Sequence, residues 1–205
     1  MKKLILLRHA SHAELGRALS GRSEIALDER GRAQARVLCW SLAAMPLASL
    51  HSSPRRRALE TIAPLANTRS LPVHSAPALD EIAFGRFTGK SFHSLDADLD
   101  WHVWNAQRGT ARCPGGETMA EAAARAVDYV ESLDSAAFPA LMVTHCDIIR
   151  AIVGITLRTG FDRLFDLACD PASWTVLDVS GSAWRLLAQN QTAGKASMRC
   201  DTGPS

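Results

Sequence analysis

The chain has 205 residues, of which 47% are apolar and 21% charged, and its formal net charge is +2. These values indicate one globular domain, or at most two, and give no support for nucleic acid or a membrane surface as a partner. The five cysteines include no C-x-x-C pair, which argues against a disulfide framework or a structural zinc site and predicts a cytoplasmic location. The apolar run Leu4–Leu7 is too short for a signal peptide or a membrane span.

The N-terminal run predicts the first strand of a sheet. Leu4–Leu7 is uniformly apolar, which is typical of a strand buried on both faces in a mostly parallel sheet. Arg8 and His9 then lie at its carboxyl end. Residues 10–27 show no period and are predicted to form a loop, and a helix is predicted from Asp28. Its inward side is expected to carry Ala33, Val37, Trp40 and Ala44.

A second strand and helix follow. Leu47–His51 is predicted to be a short strand. Ser53 is a candidate N-cap and Pro54 a candidate first residue of a helix that ends near Ala66. Val73–His74 is predicted to be another short strand.

The middle of the chain is predicted to leave the sheet. Residues 80–116 are rich in Gly, Trp and Asp and predict a long excursion over the site, with a short helix near Trp101–Gln107. Thr118 and Glu121 have capping-box spacing. The helix they begin, residues 119–133, is expected to turn three side chains inward: Ala123, Val127 and Val130.

The last third predicts further sheet and helix. Ala140–Val143 reads as a buried strand that ends at Thr144-His145. Asp147 is a candidate cap for a helix over 148–158, and Asp162 for a short one. Two late strands are predicted at 173–179 and 183–188.

The order of elements predicts the fold class and the domain. Strands alternate with helices, which indicates an α/β domain in three α/β/α layers around a mostly parallel sheet. One domain is expected over residues 1–190, with a flexible tail at 191–205.

Three predicted strand ends bring candidate catalytic residues to one edge of the sheet. A neutral His9 can attack phosphorus if an acceptor holds the proton on its other nitrogen. Arg8 and Arg57 can clamp phosphate oxygens with bidentate guanidinium groups, and His145 can donate to the same group. For each histidine taken alone, a packed structural role is the better interpretation. When both histidines occur together with the two arginines, a catalytic role becomes the better one.

Glu81 is the candidate acid. A carboxyl shielded from water can keep its proton near neutral pH and give it to a leaving oxygen. Its neighbour Asp80 competes for this role, and a surface carboxylate is the commoner fate of Glu. Arg55 and Arg56 are expected to form a solvated basic face.

Together these segments resemble the histidine phosphatase superfamily, the phosphoglycerate-mutase-like fold of branch 1. The motifs that carry the resemblance are Leu7-Arg8-His9-Ala10, Ser53-Pro54-Arg55-Arg56-Arg57-Ala58-Leu59-Glu60-Thr61, the acid segment Leu79 to Gly89, Pro114-Gly115-Gly116-Glu117-Thr118, and Val143-Thr144-His145 with Ile149-Arg150-Ala151. The resemblance implies a phosphohistidine intermediate on His9, phosphate binding by Arg8, Arg57 and His145, and Glu81 as acid and then base.

The chain departs from the family pattern at three positions: Ala10, Leu15 and Cys146. Leu15 stands where asparagine is frequent, so Ser11, His12 and Ser20 are candidates for the missing phosphate or substrate contact. The excursion also holds polar and aromatic candidates for contact with a leaving group, or for packing alone, namely Trp101, Trp104, Asn105 and Arg108.

The resemblance implies a metal-independent phosphomonoesterase that acts on a small phosphorylated metabolite and uses no cofactor. Two alternatives stay open: a phosphoglycerate-type mutase, and a phosphate-binding protein without turnover. The short segment between Glu81 and Pro114 favours the hydrolase, because family mutases carry an insertion there. No nucleic-acid or membrane partner is expected, and a monomer and a dimer both fit.

Overall fold

Six strands form one sheet in the computed structural model, which describes residues 1–193. The strands are β1 (Lys3–Arg8), β2 (Ser49–Ser52), β3 (Val73–Ser75), β4 (Ala140–Thr144), β5 (Trp174–Asp178) and β6 (Arg185–Gln191). The helices are α1 (Glu29–Leu42), α2 (Arg56–Arg69), α3 (Phe92–Leu95), α4 (Leu99–Ala106), α5 (Met119–Glu131) and α6 (Cys146–Leu157). No helix within residues 1–193 is both long and apolar enough to span a bilayer.

The strand order is β3-β2-β4-β1-β5-β6. The four strands from β3 to β1 run parallel, whereas β5 pairs antiparallel with both β1 and β6. The carboxyl ends of β1, β2 and β4 therefore meet at one edge of the sheet, as the sequence predicts.

Helices cover both faces of the sheet. Alternate residues of β1 enter two separate cores: Leu4 and Leu6 pack on the side of α5 and α6, whereas Ile5 and Leu7 pack on the side of α1 and α2. This double burial explains the uninterrupted apolar run in the sequence. The prediction of a three-layer α/β/α fold is confirmed.

Helix α1 buries a different side from the one predicted. Ala33, Val37, Trp40 and Ala44 are all exposed, and Trp40 is 84% exposed. The buried stripe is made of smaller residues and one leucine pair, Gly31, Ala35, Leu38, Cys39 and Leu42. The prediction was wrong because it did not foresee the close contact at Gly31, where a Cβ would lie 2.0 Å from the Ser11 carbonyl oxygen. That contact turns the Gly31 side of α1 inward.

Three predicted helix caps are also wrong. Helix α2 begins at Arg56 after Arg55, which lacks a side-chain cap bond, so Ser53 and Pro54 lie outside the helix. Helix α6 follows His145, and Asp147 lies inside its first turn. Asp162 accepts a hydrogen bond from the Gly109 amide at 3.2 Å instead of capping the turn Leu164–Asp166.

Other local predictions agree more closely. The capping box of Thr118 and Glu121 is present at the start of α5, and Ala123 and Val130 are buried, with Val127 half-buried. Helix α2 passes Ala66 and ends at Arg69 with Pro64 inside it. The predicted tail began at 191, but Gln191 is the last residue of β6, and residues 194–205 lie outside the described part of the chain.

The segment 80–116 contains α3, α4 and irregular chain. Gly85 fixes its path near the sheet: its φ is +53°, and a Cβ there would lie 2.1 Å from the Pro114 carbonyl oxygen. Only glycine fits this left-handed, crowded position. The two ends of the segment are thereby held together at the edge where the strands end.

Candidate active site

His9 and His145 lie side by side at the carboxyl edge of the sheet. Their ring centroids are 5.1 Å apart. The His9 amide donates to the Thr144 carbonyl at 3.0 Å, which joins the residue after β1 to the end of β4. Parallel pairing of the two strands therefore sets the relative position of the two imidazoles.

The hydrogen bonding of His9 leaves one ring nitrogen available. Its Nδ1 lies 2.9 Å from the Ala10 carbonyl oxygen. A carbonyl can only accept, so Nδ1 carries the proton and Nε2 presents a lone pair. Burial, with the positive charges of Arg57 and Arg8 adding to it, holds the pKa of His9 well below its usual 6.5. His9 is therefore neutral at physiological pH, which is the form that attacks phosphorus.

His145 is fully buried and bonded at both ring nitrogens. Arg57 donates to its Nδ1 at 3.0 Å, and its Nε2 lies 2.8 Å from Ser53 Oγ. Ser53 Oγ donates its single proton to Asp80 at 2.7 Å, so His145 must be the donor to Ser53. Burial, followed by the charge of Arg57, keeps the pKa of His145 well below 6.5.

Two of the predicted arginines flank His9. Arg57 lies in the first turn of α2, 1% exposed, and donates to the carbonyls of Gly21 and Ser23. Arg8 donates to the Cys169 carbonyl at 2.5 Å. Backbone carbonyls thus fix both guanidinium groups, and neither group pairs with a carboxylate of residues 1–193.

Arg55 is not a solvated residue as predicted. It forms ion pairs with Asp80 at 3.0 Å and with Glu24 at 2.5 Å, and 23% of its side chain is exposed. Arg56 is exposed, as expected, and pairs with Glu60. The Asp80 carboxylate also accepts the buried hydrogen bond from Ser53, and its negative charge orients the Ser53 hydroxyl.

Glu81 and Asp80 have different surroundings. Glu81 is 7% exposed and lines a cavity of about 400 Å³ together with Arg8, His9 and Arg57. Burial, and secondarily the Asp147 carboxylate, raise the pKa of Glu81 to about 8. Asp80 is occupied by Ser53 and Arg55 and does not line this cavity. Glu81 is therefore the carboxyl group of this cavity that keeps its proton at neutral pH.

A half-buried ionic network that the sequence did not predict supports Glu81. Arg22 and Arg125 both donate to its carbonyl oxygen, at 2.9 and 3.0 Å. Both arginines also pair with Glu117, whose Oε2 accepts from the Ala83 amide at 2.9 Å. One feature of the sequence could have revealed Arg125: it is a charged residue between Ala123 and Ala126, which are both buried in α5. Glu117 and its motif, residues 114–118, therefore hold the chain around Glu81 in place.

The candidate substitutes for the missing asparagine differ in position. Ser20 and His12 line the cavity, and the His12 ring is 5.2 Å from that of His9. Ser20 Oγ donates to Glu14 at 2.9 Å. Ser11 does not line the cavity, and its hydroxyl donates to Asp28, the N-cap of α1, at 2.9 Å. His145 also lies behind the cavity wall, in contact with His9 and Arg57.

The excursion contributes to the other walls. Trp101 and Arg108 line the cavity, and so does Arg150 of α6, which the sequence analysis placed only in a motif. Trp104 is 1% exposed and stacks on Trp101 with centroids 5.3 Å apart, so it packs the segment. Asn105 bonds within the segment, to the Trp101 carbonyl and to Arg108.

Several residues of this cavity have buried nitrogens without a hydrogen-bond partner in the described part of the chain. Within residues 1–193, the buried side-chain polar atoms without a hydrogen-bond partner are Arg8 Nε, His12 Nδ1, Arg57 Nε, Trp104 Nε1, Arg108 Nε and Arg108 NH1. All except the Trp104 atom belong to residues that line the cavity. Buried polar groups normally have partners, so this set of cationic residues is suited to an anion held beside the free nitrogen of His9.

An imidazole and arginines at the strand ends of an α/β fold are suited to binding a phosphate group. The sequence profile of the histidine phosphatase superfamily (branch 1) matches residues 4–192. The chain therefore belongs to this superfamily, as its motifs predicted.

Named relatives agree with this assignment. A putative phosphoserine phosphatase 2 of Hydrogenobacter thermophilus is 29% identical over 93% of this chain and 96% of its own length. A 2,3-bisphosphoglycerate-dependent phosphoglycerate mutase of Thermoplasma acidophilum is 27% identical over 87% and 88%. A mycobacterial glucosyl-3-phosphoglycerate phosphatase in complex with VO3 superposes with a TM-score of 0.83, at 28% identity, over 94% and 100%. The predicted phosphatase class is thus confirmed.

Proposed function

We propose that the protein hydrolyses a small phosphate monoester through a phosphoryl group carried on His9. The observation that carries this proposal is that His9, whose Nε2 holds a free lone pair, lines one cavity together with the guanidinium-bearing residues Arg8 and Arg57. A phosphoryl group spreads its charge over its outer oxygens during transfer, so fixed cations stabilise the transition state.

In the first half-reaction, His9 Nε2 forms a bond to phosphorus as the ester bond breaks. Nδ1 keeps its proton and donates it to the Ala10 carbonyl, and this hydrogen bond keeps the ring oriented. Arg8 and Arg57 offset the charge of the transferring group. Glu81 gives its proton to the departing oxygen, so the alcohol leaves neutral.

In the second half-reaction, water replaces the alcohol. The Glu81 carboxylate accepts a proton from this water as its oxygen attacks phosphorus, and the bond to His9 Nε2 breaks. Inorganic phosphate leaves, and both His9 and Glu81 return to their starting forms. Neither half-reaction calls on a metal ion or an organic cofactor.

The substrate belongs to the same proposal. The relatives are named for phosphoserine, phosphoglycerate and glucosyl-3-phosphoglycerate, which are small phosphorylated metabolites. A cavity of about 400 Å³ suits a molecule of this size. We place the protein in the cytoplasm, which agrees with free thiols at Cys39, Cys113, Cys146 and Cys169.

Trapping of the intermediate tests the proposal. Wild-type protein mixed with 4-nitrophenyl phosphate should release phosphate and, after a rapid quench, carry a phosphoryl group that alkali preserves and acid removes. His9→Asn should show neither, whereas the exposed His74→Asn should behave as wild type. A phosphorylated His9→Asn protein would refute the role of His9.

A coupled assay separates hydrolysis from the mutase reaction. With 2,3-bisphosphoglycerate and 3-phosphoglycerate present, we expect phosphate release to exceed the formation of 2-phosphoglycerate. Faster interconversion than release would instead identify a mutase.

A further inference from the structure

Cys146 places a sulfur atom in the wall of the cavity. It is the first residue of α6, directly after His145, and its half-buried side chain lines the same cavity as Arg8 and His9. The amide groups at the start of a helix and a nearby arginine both favour the thiolate form of a cysteine. The reaction proposed for His9 makes no use of this sulfur, so it is available for other chemistry.

Cys169 lies within reach of this thiol. It belongs to the loop before β5 and is 6% exposed, and Cys146 Sγ is 3.9 Å from its carbonyl oxygen. A hydrogen bond from the Cys169 thiol, aided by the charge of Arg8, lowers the pKa of Cys146 to about 7 against the opposing effect of burial. The same bond, together with burial, raises the pKa of Cys169. Cys146 is therefore the nucleophile of the pair.

Cys169 also holds Arg8. Its carbonyl oxygen accepts the hydrogen bond from Arg8 NH1 at 2.5 Å, which is the one side-chain hydrogen bond of Arg8 within residues 1–193. The buried Nε of Arg8 has no partner in the same range. A shift of the Cys169 backbone therefore releases the guanidinium group that the proposed reaction places against the phosphoryl oxygens.

We propose that Cys146 is an oxidation site, and that its disulfide with Cys169 reversibly weakens phosphate binding by releasing Arg8. The proposal concerns the regulation of the proposed phosphatase site and rests on that function. Both cysteines are free thiols in the described structure. In a reducing compartment, disulfides are typically transient and serve in catalysis or redox sensing.

Hydrogen peroxide is the oxidant, and the reaction has two steps. The Cys146 thiolate attacks one peroxide oxygen, so that an S–O bond forms, the O–O bond breaks and the departing hydroxide takes up a proton. The Cys169 sulfur then attacks the sulfur of this sulfenic acid. The S–S bond forms, the S–O bond breaks, and hydroxide leaves as water with the Cys169 proton. The two thiols lose two electrons and two protons, and one peroxide becomes two waters.

The disulfide changes the geometry beside Arg8. Bonded sulfurs lie about 2 Å apart, which is closer than two unbonded sulfur atoms approach. Because α6 packs into the core, the loop at Cys169 is the part expected to move, and its carbonyl oxygen moves with it relative to Arg8 NH1. Loss of this charge-assisted hydrogen bond should weaken phosphate binding about 10-fold.

Peroxide treatment of the wild-type protein tests the proposal. After brief exposure and removal of the peroxide, kcat/KM on 4-nitrophenyl phosphate should fall about 10-fold, with a matching rise in the inhibition constant of inorganic phosphate. Dithiothreitol should restore both by thiol–disulfide exchange. Peptide mapping without reductant should show Cys146 joined to Cys169. Inactivation without this disulfide, a disulfide to another cysteine, or the expected disulfide with unchanged activity would each overturn the proposal.

Serine variants locate the effect. Cys169→Ser keeps the backbone carbonyl that binds Arg8 but lacks the second sulfur, so it should retain most of its own untreated activity at a peroxide dose that inactivates the wild type. Its Cys146 should instead react with dimedone, which labels sulfenic acids.

Cys39→Ser is the matched control. Cys39 is buried outside the cavity, with Sγ 3.5 Å from the Pro64 carbonyl oxygen, and this variant should be inactivated as the wild type is. Equal sensitivity of Cys169→Ser and Cys39→Ser to peroxide would contradict the proposal. If Cys169→Ser does not fold, the peptide map and activities of the wild type decide.

The untreated protein separates this proposal from the proposed function. Failure to hydrolyse 4-nitrophenyl phosphate before any treatment would refute the proposed function, and its regulation with it. Normal hydrolysis that peroxide does not change would overturn the oxidation site alone.

Discussion

The hydroxyl of Ser53 joins His145 to Asp80: His145 Nε2 donates to it at 2.8 Å, and it donates to Asp80 at 2.7 Å. The carboxylate therefore sets the direction of both protons. Because Arg57 donates to the other nitrogen of His145, the ring is bonded on both sides within the protein. Contact between His145 and a phosphate would require one of these two bonds to change, so in this arrangement His145 positions Arg57.

Ser53→Ala should therefore weaken anion binding as well as stability. His145 loses its acceptor and Asp80 a donor, and each unpaired buried group costs about 1–3 kcal/mol. We expect kcat/KM to fall about 10-fold and the inhibition constant of vanadate to rise.

Ser52→Ala is the matched control. Ser52 is equally buried, and its hydroxyl donates only to the Ser53 carbonyl, at 2.8 Å. This variant should lose stability but keep its affinity for vanadate. Equal vanadate inhibition of the folded Ser53→Ala and Ser52→Ala proteins would contradict a positioning role.

Glu81→Gln should affect alkyl and aryl esters unequally. Alkyl esters such as 3-phosphoglycerate need a proton on the departing oxygen, so we expect kcat/KM to fall by about 10²–10⁴. The activated ester 4-nitrophenyl phosphate should lose much less. Similar losses on both substrates, measured in parallel, would assign the proton to another group.

The pH profile of the wild type should have an alkaline limit set by Glu81. The pKa of Glu81 is raised to about 8, so the carboxyl is protonated and active below this pH. Activity on alkyl esters should fall as pH rises through about 8. No matching acid limit is expected near pH 6.5, because the pKa values of His9 and His145 are both lowered. Glu81→Gln should abolish the alkaline fall, and its persistence would show that another group titrates.

Two glycines of the acid segment should respond differently to alanine. Gly85 and Gly89 both have positive φ, +53° and +81°, but only at Gly85 would a Cβ lie against backbone, 2.1 Å from the Pro114 oxygen. Gly89→Ala should cost about 1–3 kcal/mol from backbone strain, and Gly85→Ala clearly more. Urea unfolding of both variants measures the difference, and equal costs would exclude the steric explanation.

Chelation should leave hydrolysis unchanged. In the proposed reaction Arg8 and Arg57 supply the positive charge that a metal ion supplies in other phosphatases. Dialysis against EDTA, followed by the 4-nitrophenyl phosphate assay, checks this expectation. A loss of activity that divalent cations restore would contradict it.

The sequence predicted the sheet better than the helix surfaces. β1 and β4 were recognisable because strands covered on both faces are apolar throughout. The buried side of α1 was not, because Gly31 and Ala35 are buried while Trp40 faces outward. Burial of a helix depends on how closely its neighbour approaches, and a single sequence does not contain that distance.

The site, too, was predicted only in part from the sequence. Arg8, His9, Arg57 and Glu81 were predictable because strand ends and motif order place them together. The stack of Arg108 between Trp104 and Phe165 depends on Phe165, which lies 57 residues after Arg108 in the chain (165 − 108), so no local pattern predicts it. The ion pairs of Arg55 were missed for the same reason, because Asp80 and Glu24 come from distant loops.

The cavity combines two kinds of support. Arg8 and His9 lie at the end of a hydrogen-bonded strand, whereas Trp101 and Arg108 belong to a segment outside the sheet. Changes in the length or composition of that segment can therefore alter which alcohol is accepted while the strand ends stay in register. Such an architecture lets closely related chains diverge in substrate while they retain one common chemistry.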